Sequence, residues 1–548
     1  MKERIGGGLT SALLSGEGRD QLPQPAHPVR NEPATSGLSA SRRWLALGIV
    51  SVSLLITTID ATVLNVALPT LVRDLGATST DLQWIVDAFV LVFAGLLLVG
   101  GSIADRFGRK WIFVAGLAVF GSCSLWAALS PSVGMLIAAR AGMGVGGALI
   151  MPATLALITS IHTDPRERRL AFGIWSATTG AGAVLGPIIG GLLLAHFSWG
   201  SIFLINVPVA AIALSLTAPF VPNSRNPNIG RPDLLGSLLS MAGLTLLLWA
   251  LIEAPIDGWS SGQVIGAGIG GAVVLAGFAL WESRTRHPML RLSFFRSRSF
   301  SVAAISVAMV MFALFGALFV LTQYLQFDLA YSALQTGLLL LPAAGTLVVV
   351  ASLSSFIDRA IGSRLTVGGG LLFIAGGLLQ MSSASMSTTY GGIVLGLVLV
   401  GIGVGLVIPS VTSAMMSSLP GEHTGVGAAT SSAFLQVGSA FGVAVIGSLL
   451  STRYQNHMAA SLVHVHLPPG IESTILGSVG GALSAAATLG GPAGQLLAGL
   501  GRSAFVSAVD LSFVVGAAVT VLAALVAFLA LPRRPAVDVP RTPETDDR

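Results

Sequence analysis

Residues 144–160 read GVGGALIMPATLALITS, and residues 401–417 read GIGVGLVIPSVTSAMMS. Shifted by 257 positions, Gly144 meets Gly401, Gly146 meets Gly403, Pro152 meets Pro409 and Ser160 meets Ser417. Downstream, the glycine-rich stretch Gly180–Gly191 has a weaker counterpart at Gly438–Gly447. Upstream, DRFGR from Asp105 resembles DRAIGSR from Asp358. Three features in the same order point to an internal duplication rather than a chance likeness of Gly-rich apolar helices. Both copies lie in apolar runs of the length that crosses a bilayer, about 20 residues. Fourteen such runs are legible, near 44–68, 82–103, 111–129, 135–159, 171–194, 201–221, 234–252, 263–281, 299–322, 334–356, 365–383, 390–416, 425–450 and 505–531. The shift carries the fourth run onto the twelfth, an even number of spans, so the two copies share one orientation. They are then related by an axis along the membrane normal. The expectation is an all-α membrane protein with two six-helix halves, 44–221 and 299–531, plus two additional helices between them in 234–281. A site where two rocking halves meet is the mechanism such a plan suggests.

Composition agrees. Of 548 residues 53% are apolar and 10% charged, and the mean hydropathy is +0.83. Soluble domains carry about 25% charged residues, so a water-soluble globule is excluded, as is a largely disordered chain. The 67 glycines suit helices whose backbones approach closely. Cys123 is the single cysteine, so no intrachain disulfide and no Cys-rich metal site are expected.

A pI near 10 would suit nucleic acid, but the basic residues alternate with the spans. With the N-terminus inside, 25 of the 29 fall in the tails or the inner loops; Arg73, Arg453 and Arg502 fall outside, and Arg140 within a span. This is the positive-inside pattern of a multi-pass protein. It predicts contact with the lipid bilayer and no nucleic acid. The expected location is the cell inner (plasma) membrane, with both termini cytoplasmic. Residues 1–43 and 532–548 read as disordered tails, without a cleavable leader. Residues 451–504 read as a long outer loop.

Few ionisable residues fall inside the expected spans: Asp60, Asp87, Arg140 and, near an outer end, Asp510. A charge at mid-membrane costs about 2.5–3.5 kcal/mol on insertion scales, so such groups either pair or work. A carboxyl group in low dielectric exchanges a proton or a cation. Asp60 and Asp87 are the candidates for proton coupling and substrate, and Arg140 for their buried partner. Asp510 reads as interfacial. Asn65, Trp84, Trp175, Phe312, Gln323, Phe434 and Gln436 are candidates for lining a cavity, because aromatic faces attract organic cations and amides supply polar contacts.

Other chemistry fails on context. GMGVG at 142–146 and GIGVG at 401–405 look like nucleotide loops but lie inside apolar helices, where close packing explains them. His457, His464 and His466 share the outer loop without a carboxylate or cysteine cluster, so no metal site is expected. No nucleophile elbow, zinc-protease motif or P-loop occurs. The expectation is no enzyme, no cofactor and no ATPase, with energy drawn from a gradient.

The motifs together resemble the major facilitator superfamily, and within it the fourteen-span drug:proton antiporters that export quaternary ammonium and other lipophilic cations. The string GSIADRFGRK (101–110) is similar to the family's motif between spans 2 and 3. IDATVLNVALP (59–69) resembles the span 1 motif, Arg140 with Gly144 the span 4 motif, and GAGAVLGPIIGG (180–191) the span 5 antiporter motif. WIVDAFVL (84–91) resembles the quaternary-ammonium exporters, which carry an acid where Asp87 stands. The resemblance implies the major facilitator fold. It assigns Asp105, Arg106, Gly108, Arg109 and Lys110 to a conformational latch and Arg140 to proton coupling. It makes Gly180, Gly182, Gly186, Pro187, Gly190 and Gly191 the bending and sliding surface of span 5.

There are departures. Gly200-Ser201 follows Trp199 where Arg-Trp is common in the family, and Leu435-Gln436 stands where Arg-Gln is common. No acid lies between Leu334 and Phe356, which weakens the expectation for dications. The leading reading is a proton-coupled exporter of lipophilic, cationic small molecules. The alternatives are a narrow exporter of one endogenous metabolite or antibiotic and, against the repeat, a channel or receptor.

Overall fold

The computed structural model describes residues 39–225, 232–285, 288–383, 390–418, 424–463 and 471–531. The expected C-terminal tail, nearly all of the N-terminal one, and His464 and His466 lie outside them. Among the described residues fourteen helices are long and apolar enough to cross a membrane. The N-terminal half holds α1 (Ala40–Leu75), α2 (Ser79–Phe107), α3 (Arg109–Ala128), α4 (Val133–Ile161), α5 (Pro165–His196) and α6 (Ser201–Phe220). Two inserted helices follow, α7 (Leu234–Asp257) and α8 (Gly262–Arg284). The C-terminal half holds α9 (Arg298–Asp328), α10 (Ala333–Ile361), α11 (Ser363–Ser382), α12 (Gly391–Ser417) and α13 (Thr424–Leu462). Two short helices, α14 (Ile471–Gly477) and α15 (Val479–Leu489), precede its last span, α16 (Gly491–Ala530).

Local chemistry sets the ends. Thr78 and Asp81 form a reciprocal capping box at the start of α2, as Ser332 and Gln335 do at α10. Gly108 separates α2 from α3 at φ +111, a conformation that favours glycine.

The duplication is visible in packing. Gly144 of α4 lies against the α2 backbone at Phe89, and Gly401 of α12 against the α10 backbone at Ala343. Gly146 meets Phe120 of α3, and Gly403 meets Gly370 and Ile374 of α11. Each repeated glycine therefore lets one helix close on the equivalent pair of neighbours in its own half.

One end of the molecule carries the basic α2–α3, α4–α5 and α10–α11 connections and is called here the basic face. The opposite end is the capped face. There the expected loop 451–504 is largely helical. α13 runs on to Leu462, and α14 and α15 fold over the end of the bundle. The Tyr454 hydroxyl reaches Ile475 O (2.8 Å) and Ser478 O (3.2 Å), and the Ser478 side chain caps α15. Gly480 of α15 sits against Val72 of α1 and Phe327 of α9, so the cap touches both halves.

The halves meet tightly toward this face. Gln326 Nε2 donates to Val66 O (2.9 Å), and Ser448 Oγ stands 3.3 Å from Gln83 Oε1. Gly191 packs on the backbone of Ala333 and Leu334, and Gly337 on the Pro187 carbonyl. Toward the basic face they part. From Phe172 to Ala181 no residue of α5 is buried, and from Leu341 to Ile361 of α10 only Ser354 is. A helix packed among others and bathed by lipid shows one exposed side. In these stretches residues on every side are half-buried or exposed, so the halves pack less closely toward the basic face.

A Cβ at Gly337 would collide with backbone, which cannot step aside. Overpacking of this kind costs about 1–3 kcal/mol. Gly337→Ala is therefore expected to loosen the capped-face seam and populate forms open there. Spin-label distances between α5 and α10 check it; distances equal to those of the parent protein would count against it.

Candidate functional site

Asp60, Arg140 and four further side chains form one buried cluster in the N-terminal half. Asp60 is wholly buried on α1, and Arg140, 1% exposed, reaches it from α4. Arg140 Nη1 stands 2.5 Å from Asp60 Oδ2. Arg140 Nε donates to Ile85 O of α2 (3.0 Å), and the guanidinium lies over the Phe89 ring, 4.6 Å from its centroid, with Phe203 at 6.0 Å. Asn206 of α6 donates to Asp60 Oδ1 (3.1 Å) and to Ser124 Oγ of α3 (3.3 Å). The cluster thus ties α1, α2, α3, α4 and α6 through one carboxylate and one guanidinium. A buried ion pair is tolerable when its remaining hydrogen-bonding positions are filled. Here Asp60 uses both oxygens, and Arg140 adds a carbonyl and an aromatic face.

Asp87 does not join this cluster. It is wholly buried on α2, and neither oxygen has a hydrogen-bond partner among the described residues. Helical spacing puts Gln83, Asp87, Val90, Leu91 and Ala94 on one stripe. That stripe faces the seam between α7 and α13. Val90, Leu91 and Ala94 line a small apolar cavity there with Leu244, Leu248, Gln436, Val437, Ala440 and Phe441.

The span 5 motif packs as a surface with one exception. Gly182, Gly186 and Gly190, four apart, receive Thr58, Thr62 and Val63 of α1. Gly191 and the Pro187 carbonyl face α10, so this end of α5 packs directly on the other half. A Cβ at Gly180 would meet nothing within 4 Å from another helix, so it makes no part of that surface.

The residues expected to form the latch gather at the basic end of the N-terminal half. Asp105 and Arg109 pair at 2.7 Å across the Gly108 turn, and Arg109 Nη1 donates to Ala156 O of α4 (3.2 Å). Lys110 Nζ donates to Ala218 O of α6 (2.6 Å), and Arg109 N to Ser224 O (2.9 Å). Arg106 only covers the Phe107 ring. Nearby, His162 is buried beside Trp44, and burial holds its imidazole below the usual range although Glu167 stands 3.6 Å away. The Asp105–Arg109 pair is partly exposed, which limits its worth to about 1 kcal/mol. Asp105→Asn should therefore fold normally. It should slow turnover by up to roughly fivefold with substrate affinity near that of the parent, in paired binding and transport assays. Unchanged turnover would count against the latch.

The cavity candidates divide. Trp175 of α5 is half-buried in the loosely packed stretch toward the basic face and donates to Thr154 of α4 (3.1 Å). Phe434 is half-buried against Phe295, and Gln436 lines the small seam cavity. Asn65, Phe312 and Gln323 are buried in packing, so they line no open space in this conformation. Trp84 does not face the centre either; its indole donates to Glu253 of the inserted helix α7 (2.9 Å). Among the described residues no three His, Cys, Asp or Glu side chains gather as a metal site.

Sequence reasoning missed Asn206, Gln83 and Glu253. The first two are lone amides in apolar spans, and a search confined to ionisable residues passes over them. Glu253 lies one residue beyond the expected end of its span.

A two-half helical bundle of membrane-length helices, with a charged cluster buried inside one half, is the architecture of a multi-pass membrane transporter. The chain belongs to the Major Facilitator Superfamily, whose family model matches residues 50–443. It is 33% identical over 505 residues to the multidrug efflux pump LfrA of Mycolicibacterium smegmatis, covering 92% of this chain and 99% of that protein. It is 33% identical over 512 residues to the tetracenomycin C resistance and export protein of Streptomyces glaucescens, covering 92% and 95%. Among solved structures it resembles a bacterial homologue of the human lysosomal transporter Spinster. The TM-score is 0.60 at 17% identity, over 90% of this chain and 98% of that one, a likeness of fold.

Proposed function

We propose that this protein is a proton-coupled antiporter that exports lipophilic, cationic drugs or toxins across the plasma membrane, with the basic face in the cytoplasm. The basic residues of that face support the orientation. In it, the halves pack less closely toward the inside and the capped face is sealed outward, the form that loads substrate from the cytoplasm. Drug export is supported by relatives named for multidrug efflux and antibiotic export that match nearly the whole chain.

The observation that carries proton coupling is the buried Asp60–Arg140 pair. A proton on Asp60 cancels the attraction and frees Arg140. Two arrangements of five helices then differ by one proton, which is what coupling requires. Asp87 as the carboxylate holds the cation and lets it go when a proton reaches it from the outer side. A one-for-one exchange of proton and monovalent cation moves no net charge, so the pH difference alone drives it, about tenfold accumulation per pH unit. Engaging both acids restores voltage sensitivity, at about 2.3 kcal/mol per charge per 100 mV.

Proteoliposomes with an imposed pH gradient test this over a small panel of cationic dyes. Accumulation is expected to follow the gradient, vanish with a proton ionophore and ignore ATP. ATP-driven export from proton-leaky vesicles would overturn it. The tetracenomycin-exporting relative favours a second reading, export of one antibiotic, and a panel in which a single compound moves would select it.

A further inference from the structure

Asp87 lies in the seam of α2, α7 and α13, and the outer end of that seam holds another acid. Glu253 sits one turn from the end of α7, partly exposed, and accepts the Trp84 indole hydrogen at 2.9 Å. Trp84 and Asp87 are three apart on α2 and therefore neighbours on its surface. Along α2 they are separated by about 4.5 Å of rise, with Asp87 the deeper. Side chains on a helix lean toward its N-terminus, so the Asp87 carboxyl leans toward the capped face. α7 is anchored on both sides of this seam. Ser237 donates to Gly95 O of α2 (2.6 Å), Ser448 of α13 donates to Leu251 O (2.5 Å), and Trp259 donates to Thr452 of α13 (3.2 Å).

The surrounding charges are few. α13 carries no titratable group from Phe434 to Thr452, and Arg453 points to Ser507. Arg140 is engaged with Asp60 on the other side of α2. Asp81 is held by Thr78 at the helix cap, and Asp257 is exposed one turn beyond Glu253. A wholly buried carboxylate without a partner is costly as an anion, so the closed seam suits Asp87 as the neutral acid. Something must deliver its proton. The one acid on the route from the capped-face water to Asp87, among the described residues, is Glu253.

We propose that Glu253 of the inserted helix is a proton relay: it takes a proton from water at the capped face and passes it to the Asp87 carboxylate. In the step, the Glu253 O–H bond breaks and an O–H bond forms on Asp87 through a hydrogen-bonded water, leaving Glu253 as the carboxylate. The arriving proton discharges Asp87 and so releases a bound cation outward. Trp84 orients the relay and carries no proton. This gives α7 and α8 a task, since the space between the halves need not conduct the proton. The inference rests on the reading of Asp87 as the cation site.

Glu253→Gln is the test, because Gln keeps the acceptor for Trp84 and loses the transferable proton. Export of a cationic and a neutral dye is followed in proteoliposomes, per inserted protein, with the capped-side pH varied. The relay predicts cation export slowed by about tenfold or more near neutral pH. The deficit should shrink as that side is acidified and protons reach Asp87 directly. Neutral-dye export and cation affinity should be those of the parent, and Glu253→Asp should restore the rate. A Gln variant equal to the parent at every pH overturns the relay. So does an equal loss for both dyes without pH dependence, which marks a structural tie. Should the Gln variant fail to insert, Glu253→Thr is read the same way against Glu253→Asp. Asp87→Asn run alongside separates the two ideas: if it does not select against cations, the Asp87 reading fails and takes the relay with it. If it does and Glu253→Gln is normal, the relay alone fails.

Discussion

Asp60→Asn is expected to abolish proton-driven transport of every substrate and to destabilise the N-terminal half at the same time. Asparagine matches aspartate in size and keeps the contact to Asn206, but it gives up the charge that Arg140 faces. Arg140 is 1% exposed and its carboxylate partner is Asp60. Removing that partner leaves a guanidinium charge buried, at a cost of about 3–5 kcal/mol. The single variant therefore confounds coupling with folding. A double-mutant cycle separates them. Asp60→Asn combined with Arg140→Gln removes both charges, and replacing both members of a buried pair is far cheaper than breaking it. Thermal stability in detergent should fall for each single variant and recover in the double one, while proton-driven dye export stays absent in all three. Export against a gradient by the double variant would show that the pair is scaffold and that the proton travels elsewhere.

The sequence made the architecture legible because a bilayer imposes a coarse rule. Twenty apolar residues make a span, and arginines sort its ends, so all fourteen spans could be counted and the duplication located from four matched residues in α4 and α12. Their glycines then proved to close on equivalent helices, since close backbone approach is written in the residue type itself. What the sequence hid follows from the same rule. Glu253, Glu282 and Asp328 lie one to six residues past the expected ends of α7, α8 and α9, where a hydropathy reading stops at the first charge. The helices run on, because an acid at the interface does not break backbone hydrogen bonding. The cap was hidden for a related reason: Ala-, Gly- and Ser-rich helices lying over a bundle end have no apolar run long enough to announce themselves. Partners were least legible. That Arg140 would take Asp60 rather than Asp87 depends on which faces of α1, α2 and α4 meet. No spacing within one helix encodes that.

That partition also explains why the two acids should answer differently to the same substitution. Asp87 has no partner to orphan, so Asp87→Asn exchanges one buried polar group for another of equal size and leaves no charge behind. The loss of stability is expected to be smaller than for Asp60→Asn, which strands a buried charge. The effect should fall on the substrate instead. A carboxylate in a water-poor seam attracts an organic cation far more strongly than an amide does, because the Coulomb term grows as the dielectric falls. Neutral compounds gain nothing from that charge. Asp87→Asn should therefore reduce export of a monovalent cationic dye by about 30-fold or more, the equivalent of about 2 kcal/mol, and leave a neutral dye of similar size unaffected. Paired efflux of the two dyes through one preparation measures this without reference to expression level. Equal loss of both would assign Asp87 to coupling rather than selection. No loss of either would make it a buried acid without a task in transport, and the cation would then have to be held between the halves toward the basic face, where Trp175 offers an aromatic face beside α4.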